Sequence, residues 1–234
     1  MLVIFDCDGV LVDSEIISAQ VSSDCWKAIG VDLSADYFLE TYRGKSVADC
    51  IRMTTETLAQ MDVWKDCSAA EKAEQGAKFW RHVQLQTLVV CEQQLEPVTG
   101  VMAVLDYLRA QQIPFCVASN GKHEKMRMTL AKTGIMPYVQ GRVFSFEDVT
   151  RGKPAPDLFL HAASSLNIPA AQTIVVEDSL TGIQAAVAAG MRPLGYCPPN
   201  HDGSENCLLP EMRKLGAEVF FAMDELLPLI FKSS

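Results

Sequence analysis

The chain opens on Leu2-Val3-Ile4-Phe5, an unbroken run of branched and aromatic apolar residues that predicts a strand buried on both faces. The pattern then changes character. Residues 16–30 are helix-compatible and stop at Gly30, a favourable C-cap, and two more helical stretches follow at 35–42 and 46–61 with Gly44 between them. Ser68, with Glu71 three residues on, predicts the N-cap of a long charged helix that reaches about Glu92. Between residues 15 and 92 no alternating strand pattern occurs, so this block reads as all-helical. From Pro97 onward the rhythm is strand and helix in turn. A helix at 100–111 leads to a strand at 113–118, a helix at 121–133 ends at Gly134, and a short strand lies near 143–146. After a loop through Gly152 and Pro154 comes a helix at 156–166 with proline in its first turn. Then follow a strand at 173–177, a helix at 179–189 ending at Gly190, a strand at 192–196, a helix at 208–215, a strand at 218–221 and a helix at 223–231.

Strands alternating with helices of this length predict parallel β-α-β units with right-handed crossovers. The opening strand must join that sheet, because an isolated strand leaves its backbone groups unsatisfied. The fold class is therefore α/β: a Rossmann-like parallel sheet core from residues 1–14 and 93–234, with an all-helical cap inserted at 15–92. A length of 234 residues suits one large or two small domains, and 49% hydrophobic residues suffice for a substantial core.

Charge and cysteine usage narrow the class of partners. The net charge is −9 and no basic stripe with interleaved aromatics occurs, which argues against nucleic acid and against anionic membranes. The opening apolar run breaks at Asp6, too short for a signal peptide or a membrane span. The eight cysteines are scattered without a C-x-x-C pair, so they read as reduced thiols in a soluble cytoplasmic protein, monomer or homodimer.

Chemistry gathers where strands end. In an open parallel sheet the ligand lies beyond the carboxyl ends of the strands. There the chain places Asp6 and Asp8 followed by Gly9, then Ser119 and Asn120, then Glu177 and Asp178, with Lys153 in a loop that opens a helix. Two acids so close repel each other, which calls for a cation between them or for one nucleophile and one proton carrier. Taken singly, each group has a plainer reading: an acidic turn at Gly9, helix caps at Ser119-Asn120 and Ser179, a solvated Lys153. Occurring together in this order, they supply acids for a hard cation, a hydroxyl and an amide for oxygens, and a positive charge for a phosphoryl group.

In these motifs the chain resembles the haloacid dehalogenase-like superfamily of aspartate-nucleophile hydrolases. Asp6-Cys7-Asp8-Gly9-Val10 matches the first motif, Val117-Ala118-Ser119-Asn120-Gly121 the second, Arg151-Gly152-Lys153-Pro154-Ala155-Pro156-Asp157 the third, and Val175-Val176-Glu177-Asp178-Ser179 the fourth. The similarity extends to the helical insertion and is greatest to the capped sugar-phosphate phosphatases and β-phosphoglucomutase-like members. The resemblance implies an Mg²⁺-dependent phosphatase of a small phosphorylated metabolite, a sugar or sugar-acid phosphate, working through an aspartyl-phosphate. It assigns the nucleophile to Asp6 and proton transfer to Asp8, and Mg²⁺ to Asp6, the Asp8 carbonyl, Asp178 and, directly or through water, Glu177. Ser119, Lys153 and Asn120 would take phosphoryl oxygens, and Gly9 would let the backbone approach the phosphate. Loss of Lys153 is then expected to affect turnover far more than folding.

Three other readings follow from the same residues. A β-phosphoglucomutase-type phosphomutase shares every core motif, but Ser18 and Val47 stand where those mutases carry a histidine and an arginine. A dehalogenase lacks the acid found here at Asp8. A non-catalytic phosphate-binding or phospho-signalling domain lacks a large insertion or has lost a chemical residue. Outside the motifs, Arg43 and Lys45 flank Gly44 as a candidate substrate-reading loop, or as cations favouring a helix end. His123 reads as a helix-surface histidine, Trp26, Trp64 and Trp80 as core of the insertion, and Cys7 as pointing away from the acids.

Overall fold

The computed structural model describes residues 1–43, 45, 47–199 and 206–232. They divide into two compact units, Met1–Ser14 with Leu95–Ser234, and Glu15–Gln94.

The first unit is built on a parallel sheet of six strands in the order β3-β2-β1-β4-β5-β6. The strands are β1 (Leu2–Phe5), β2 (Phe115–Ser119), β3 (Val143–Ser145), β4 (Thr173–Glu177), β5 (Arg192–Tyr196) and β6 (Glu218–Phe220). β1 sits at the centre, with Val3 opposite Phe115 on one side and Ile174 on the other. Both faces of it are covered, so its four residues are fully buried, as an unbroken apolar run requires. Helices α5 (Val101–Ala110), α6 (His123–Lys132), α7 (Met136–Val139), α8 (Asp157–Ser165), α9 (Leu180–Ala188), α10 (Leu209–Lys214) and α11 (Leu226–Ile230) fill the connections. Beside β1, β2 and β4, Phe159, Leu158, Ala162 and Ala185 close one core cluster, and Ile183, Met212 and Leu209 build a second toward β5. Where the insertion leaves and returns, the two chain segments are stitched together: Asp13 N donates to Glu96 O and Val98 N to Leu11 O.

The second unit consists of α1 (Ser14–Ala28), α2 (Ala35–Tyr42), α3 (Val47–Leu58) and α4 (Ala69–Gln94). Its core is Trp26, Phe38 and Leu58, with Phe79 edge-on to Trp26 at 4.7 Å and Trp64 at the margin. Trp80 stacks on Tyr42 instead. The capping box expected at the head of α4 is present, Ser68 N donating to Glu71 Oε2 and Glu71 N to Ser68 Oγ. α4 continues to Gln94, two residues beyond the expected end. Among the described residues no helix is long and apolar enough to cross a membrane.

Several boundaries differ from the sequence expectation for identifiable reasons. α6 begins at His123 rather than residue 121, and neither Ser119 nor Asn120 caps it: its N-cap is Lys122, without a side-chain hydrogen bond. The segment before it is engaged in the site instead. Pro156 precedes α8 rather than lying inside its first turn. The last expected helix splits into a 3₁₀ turn at Met223–Glu225 and the short α11. The four-residue α7 escaped the periodicity, being too short to show one.

Candidate active site

β1, β2 and β4 are adjacent and parallel, so their carboxyl ends open on one edge of the sheet. Asp6 prolongs the β1 ladder, its N–H donating to Val176 O at 3.0 Å. The chain then reverses sharply: Gly9 N donates to Val12 O, and Leu11 N and Val12 N both reach Cys7 O. Gly9 adopts φ +75°, a conformation favouring glycine. A Cβ there would lie 2.0 Å from Asp178 Oδ2, so the residue admitted by the missing side chain is Asp178.

Lys153 is the hub. Its Nζ lies 2.6 Å from Asp6 Oδ1 and 2.6 Å from Glu177 Oε1, in a nearly water-free position with the Phe159 ring centroid 4.8 Å away. Asn120 fixes the lysine's backbone: its Nδ2 donates to Lys153 O at 3.0 Å, and its Oδ1 accepts from Lys153 N at 2.9 Å. The amide anticipated at phosphoryl oxygens is thus engaged in seating the lysine. Glu177 Oε2 accepts from Ser179 N and Ser179 Oγ, while that hydroxyl also accepts from Gly182 N as the N-cap of α9. Glu177 lies so close to α9 that a Cβ on Gly182 would come within 1.9 Å of its carboxylate.

Asp8 has different company. Ser14 Oγ donates to Oδ1 at 2.7 Å and Lys125 Nζ to Oδ2 at 2.8 Å. Ser119 is buried on the neighbouring strand, its hydroxyl accepting from Gly121 N. A Cβ on Gly121 would meet both Ser119 Oγ at 3.7 Å and Asp8 Oδ2 at 3.9 Å, which shows how the second motif folds over the first. Cys7 turns away from the acids, its Sγ facing Thr129 Oγ1.

Electrostatics separate the two acids of the first motif. Burial lifts the Asp6 carboxyl from 3.8 to about 6, against the pull of Lys153 and with the push of Glu177. Burial also acts against the charge on Asp8, but Lys125 and the Ser14 hydroxyl outweigh it and hold that carboxyl below its ordinary value. Burial weakens the Lys153 ammonium, yet the two carboxylates beside it more than reverse this, so it stays protonated. Carboxylate oxygens of Asp6, Glu177 and Asp178 all lie within 4.8 Å of one another. An all-oxygen donor set of three acids facing a single buried lysine matches a hard divalent cation.

Asp6, Asp8, Gly9, Ser119, Asn120, Lys153, Glu177 and Asp178 therefore come together at one sheet edge of the first unit. Arg43 and Lys45 belong to the helical unit, where Arg43 Nε pairs with Glu15 at 2.7 Å and Lys45 is exposed; Gly44 lies outside the described residues. Sequence reasoning missed Lys125 and Ser14 at Asp8, and missed that His123 pairs with Asp148 at 2.8 Å. The only sequence hint for Lys125 was its place in the first turn of the helix after a motif strand.

The profile of haloacid dehalogenase-like hydrolases matches residues 1–190. The 6-phosphogluconate phosphatase of Escherichia coli (strain K12) is 29% identical over 200 residues, covering 86% of this chain and 84% of that protein. Among solved structures, a conserved haloacid dehalogenase-like protein of unknown function from Agrobacterium tumefaciens str. C58 superposes with a TM-score of 0.77 and 33% identity, over 98% of this chain and 96% of that one. A HAD family hydrolase from Deinococcus radiodurans R1, with bound phosphate and sodium, superposes with a TM-score of 0.78 and 26% identity, over 96% and 92% of the two chains.

Proposed function

The chain belongs to the haloacid dehalogenase-like hydrolases and is a phosphoric monoester hydrolase, and we propose that it acts on a small phosphorylated metabolite, a sugar or sugar-acid phosphate, with Mg²⁺ bound and through an aspartyl-phosphate on Asp6. The observation that carries this reading is the triangle of Asp6, Lys153 and Glu177 with the Asp178 carboxylate beside it. It sets a buried acid against a buried ammonium at the open end of a central strand, an environment suited to a carboxylate nucleophile toward a phosphoryl group. The likeness to a phosphatase of a sugar acid and to a hydrolase holding phosphate supports it.

In this reading Asp6 attacks phosphorus in line, and the P–O bond to the leaving group breaks as the Asp6–phosphorus bond forms. Asp8 donates a proton to the departing alkoxide, then accepts one from the water that cleaves the acyl phosphate. Ser119 and Lys153 face the charge that spreads over the phosphoryl oxygens, and Asn120 serves them by holding the Lys153 backbone. Asp6, Asp178 and the Asp8 carbonyl would hold Mg²⁺, with Glu177, which also pairs with Lys153, joining them directly or through water; the ion would supply further neutralisation of phosphoryl charge. Arg43 and Lys45 are proposed as substrate-reading groups of a cap that sets specificity, and the cytoplasm as the compartment.

The test is phosphate release from p-nitrophenyl phosphate and from a panel of phosphorylated sugars, sugar acids and nucleotides. Turnover that ceases in chelator, returns with Mg²⁺ and is poorly supported by Ca²⁺ is the expected result, because the larger ion prefers longer, more numerous oxygen contacts. Full turnover in excess chelator overturns the metal assignment. Release from no monoester overturns the phosphatase reading.

A further inference from the structure

Asp8 stands on a turn and not on a strand, so the backbone alone does not fix its side chain. Its carboxylate is nevertheless held at both oxygens, by Ser14 Oγ at 2.7 Å and by Lys125 Nζ at 2.8 Å. The donors come from different elements, Ser14 from the start of α1 and Lys125 from the first turn of α6, 117 positions along the chain. That turn is itself anchored. His123 N donates to Glu147 Oε2 at 2.9 Å, and His123 Nε2 lies 2.8 Å from Asp148 Oδ1 in the loop that leads to Lys153. The Lys125 ammonium therefore arrives at Asp8 from a place set by the fold.

We propose that Lys125 is a positioning residue that acts through Asp8, holding the proton-carrying carboxylate, with Ser14, in the orientation the reaction uses; this rests on the phosphatase reading above. An ion pair whose side chains are 34% and 29% exposed contributes little to folding, because solvent screens it. Its value lies in geometry, since a misplacement of about 1 Å in a reacting group lowers rates on the order of 10²-fold. Lys153 is the contrasting case: it faces the nucleophile and the phosphoryl group, whereas Lys125 faces the acid that serves the leaving group.

The test uses the full chain with Mg²⁺, p-nitrophenyl phosphate as a monoester whose leaving group departs unaided, and the alkyl phosphate of the panel turned over fastest. Lys125→Met is expected to lower kcat on the alkyl phosphate about tenfold with KM held within about twofold, because Lys125 orients the acid without binding the substrate. The burst of p-nitrophenol, which reports the first step alone, should change less than about twofold. Lys125→Arg, which keeps the charge, should restore most of the alkyl rate. In an Asp8→Asn background Lys125→Met should change the burst by less than about twofold, since a residue acting only through Asp8 has nothing left to act upon. Equal losses in the alkyl-phosphate rate and in the p-nitrophenol burst, a raised KM, or a further loss of burst in the Asp8→Asn background would show that Lys125 acts on the phosphoryl group or on the fold, and would overturn the inference. Turnover by the unaltered chain in the same assay upholds the phosphatase reading separately, so a Lys125→Met variant as fast as it overturns this inference alone.

Discussion

The two sides of the first-motif turn invite comparison. On one, Asp6 is enclosed and shares a buried lysine with Glu177; on the other, Asp8 is partly open and is held by a partly exposed lysine and a serine hydroxyl. The same residue type, two positions apart, is pushed up to about 6 on one side and held down on the other. The side chain's chemistry is identical; the surroundings make them different reagents. In the proposed reading the roles follow from position and not from these shifts: the enclosed acid is the one that bonds phosphorus, and the more open one is the one that exchanges a proton with the leaving group or water.

Exchanging the identities of the two acids breaks the comparison most severely at Asp6. Asp6→Asn should abolish turnover and leave no phosphate adduct in intact-protein mass spectrometry after an acid quench, because an amide is a poor nucleophile toward phosphorus. An adduct that survives in this variant places the nucleophile elsewhere. Asp8→Asn should lower the rate on alkyl phosphates by about 10²–10⁴, the usual worth of general acid–base catalysis. Its burst with an aryl phosphate should be much less affected, and its adduct should outlive that of the unaltered chain, since no base activates the water. A burst reduced as much as the alkyl-phosphate rate would merge the two roles that the comparison separates.

Lys153→Ala tests the enclosed side alone. The rate should fall about 10²–10³-fold, as for other lost donors to developing charge. The structure changes the expectation for folding. Lys153 bridges two buried acids, so its removal strands them and should lower stability by about 3–5 kcal/mol in thermal or urea unfolding of the metal-free protein. A variant that is slow but as stable as the original would mean that water or an ion replaces the ammonium there.

The smallest effect is one of pH. A carboxyl raised from 3.8 to about 6 binds its proton more tightly in the folded state, so folded stability falls as pH rises across that interval and recovers as pH drops below about 6. Between pH 7 and pH 5, the metal-free chain should gain on the order of 1 kcal/mol relative to Asp6→Asn in urea unfolding. Asp8 is shifted the other way, so its contribution is fully present above its ordinary value of 3.8 and is lost only as the pH falls further, leaving this window unchanged in Asp8→Asn. Equal pH responses in the two variants would show that the acids share one environment.

Much of the site was legible because strand ends announce themselves. Leu2–Phe5 and Thr173–Glu177 are apolar runs that stop at acids, and parallel topology brings such ends to one edge. The partners of those acids were not legible. Asn120 against the Lys153 backbone spans 33 positions and Lys125 against Asp8 spans 117, separations over which no periodicity carries information. Gly182 illustrates the same gap: in sequence it is a glycine inside a helix, and only the Glu177 carboxylate packed on it explains the missing side chain.

The central place of β1 has a consequence for how the chain is made. The strand that leads into Asp6 is synthesised before its neighbours in the sheet, residues 115–119 and 173–177. At about 5–20 residues per second on a ribosome, β4 emerges roughly 9–35 s after β1. In that interval the helical unit, continuous from residue 15 to residue 94, is complete, while Leu2-Val3-Ile4-Phe5 has at most β2 to pair with, on one side. A strand fully buried in the finished molecule thus waits, half-paired, for a partner about 170 residues behind it, and a chain cut short before Thr173 would hold Asp6 at the end of a strand with one side unpaired.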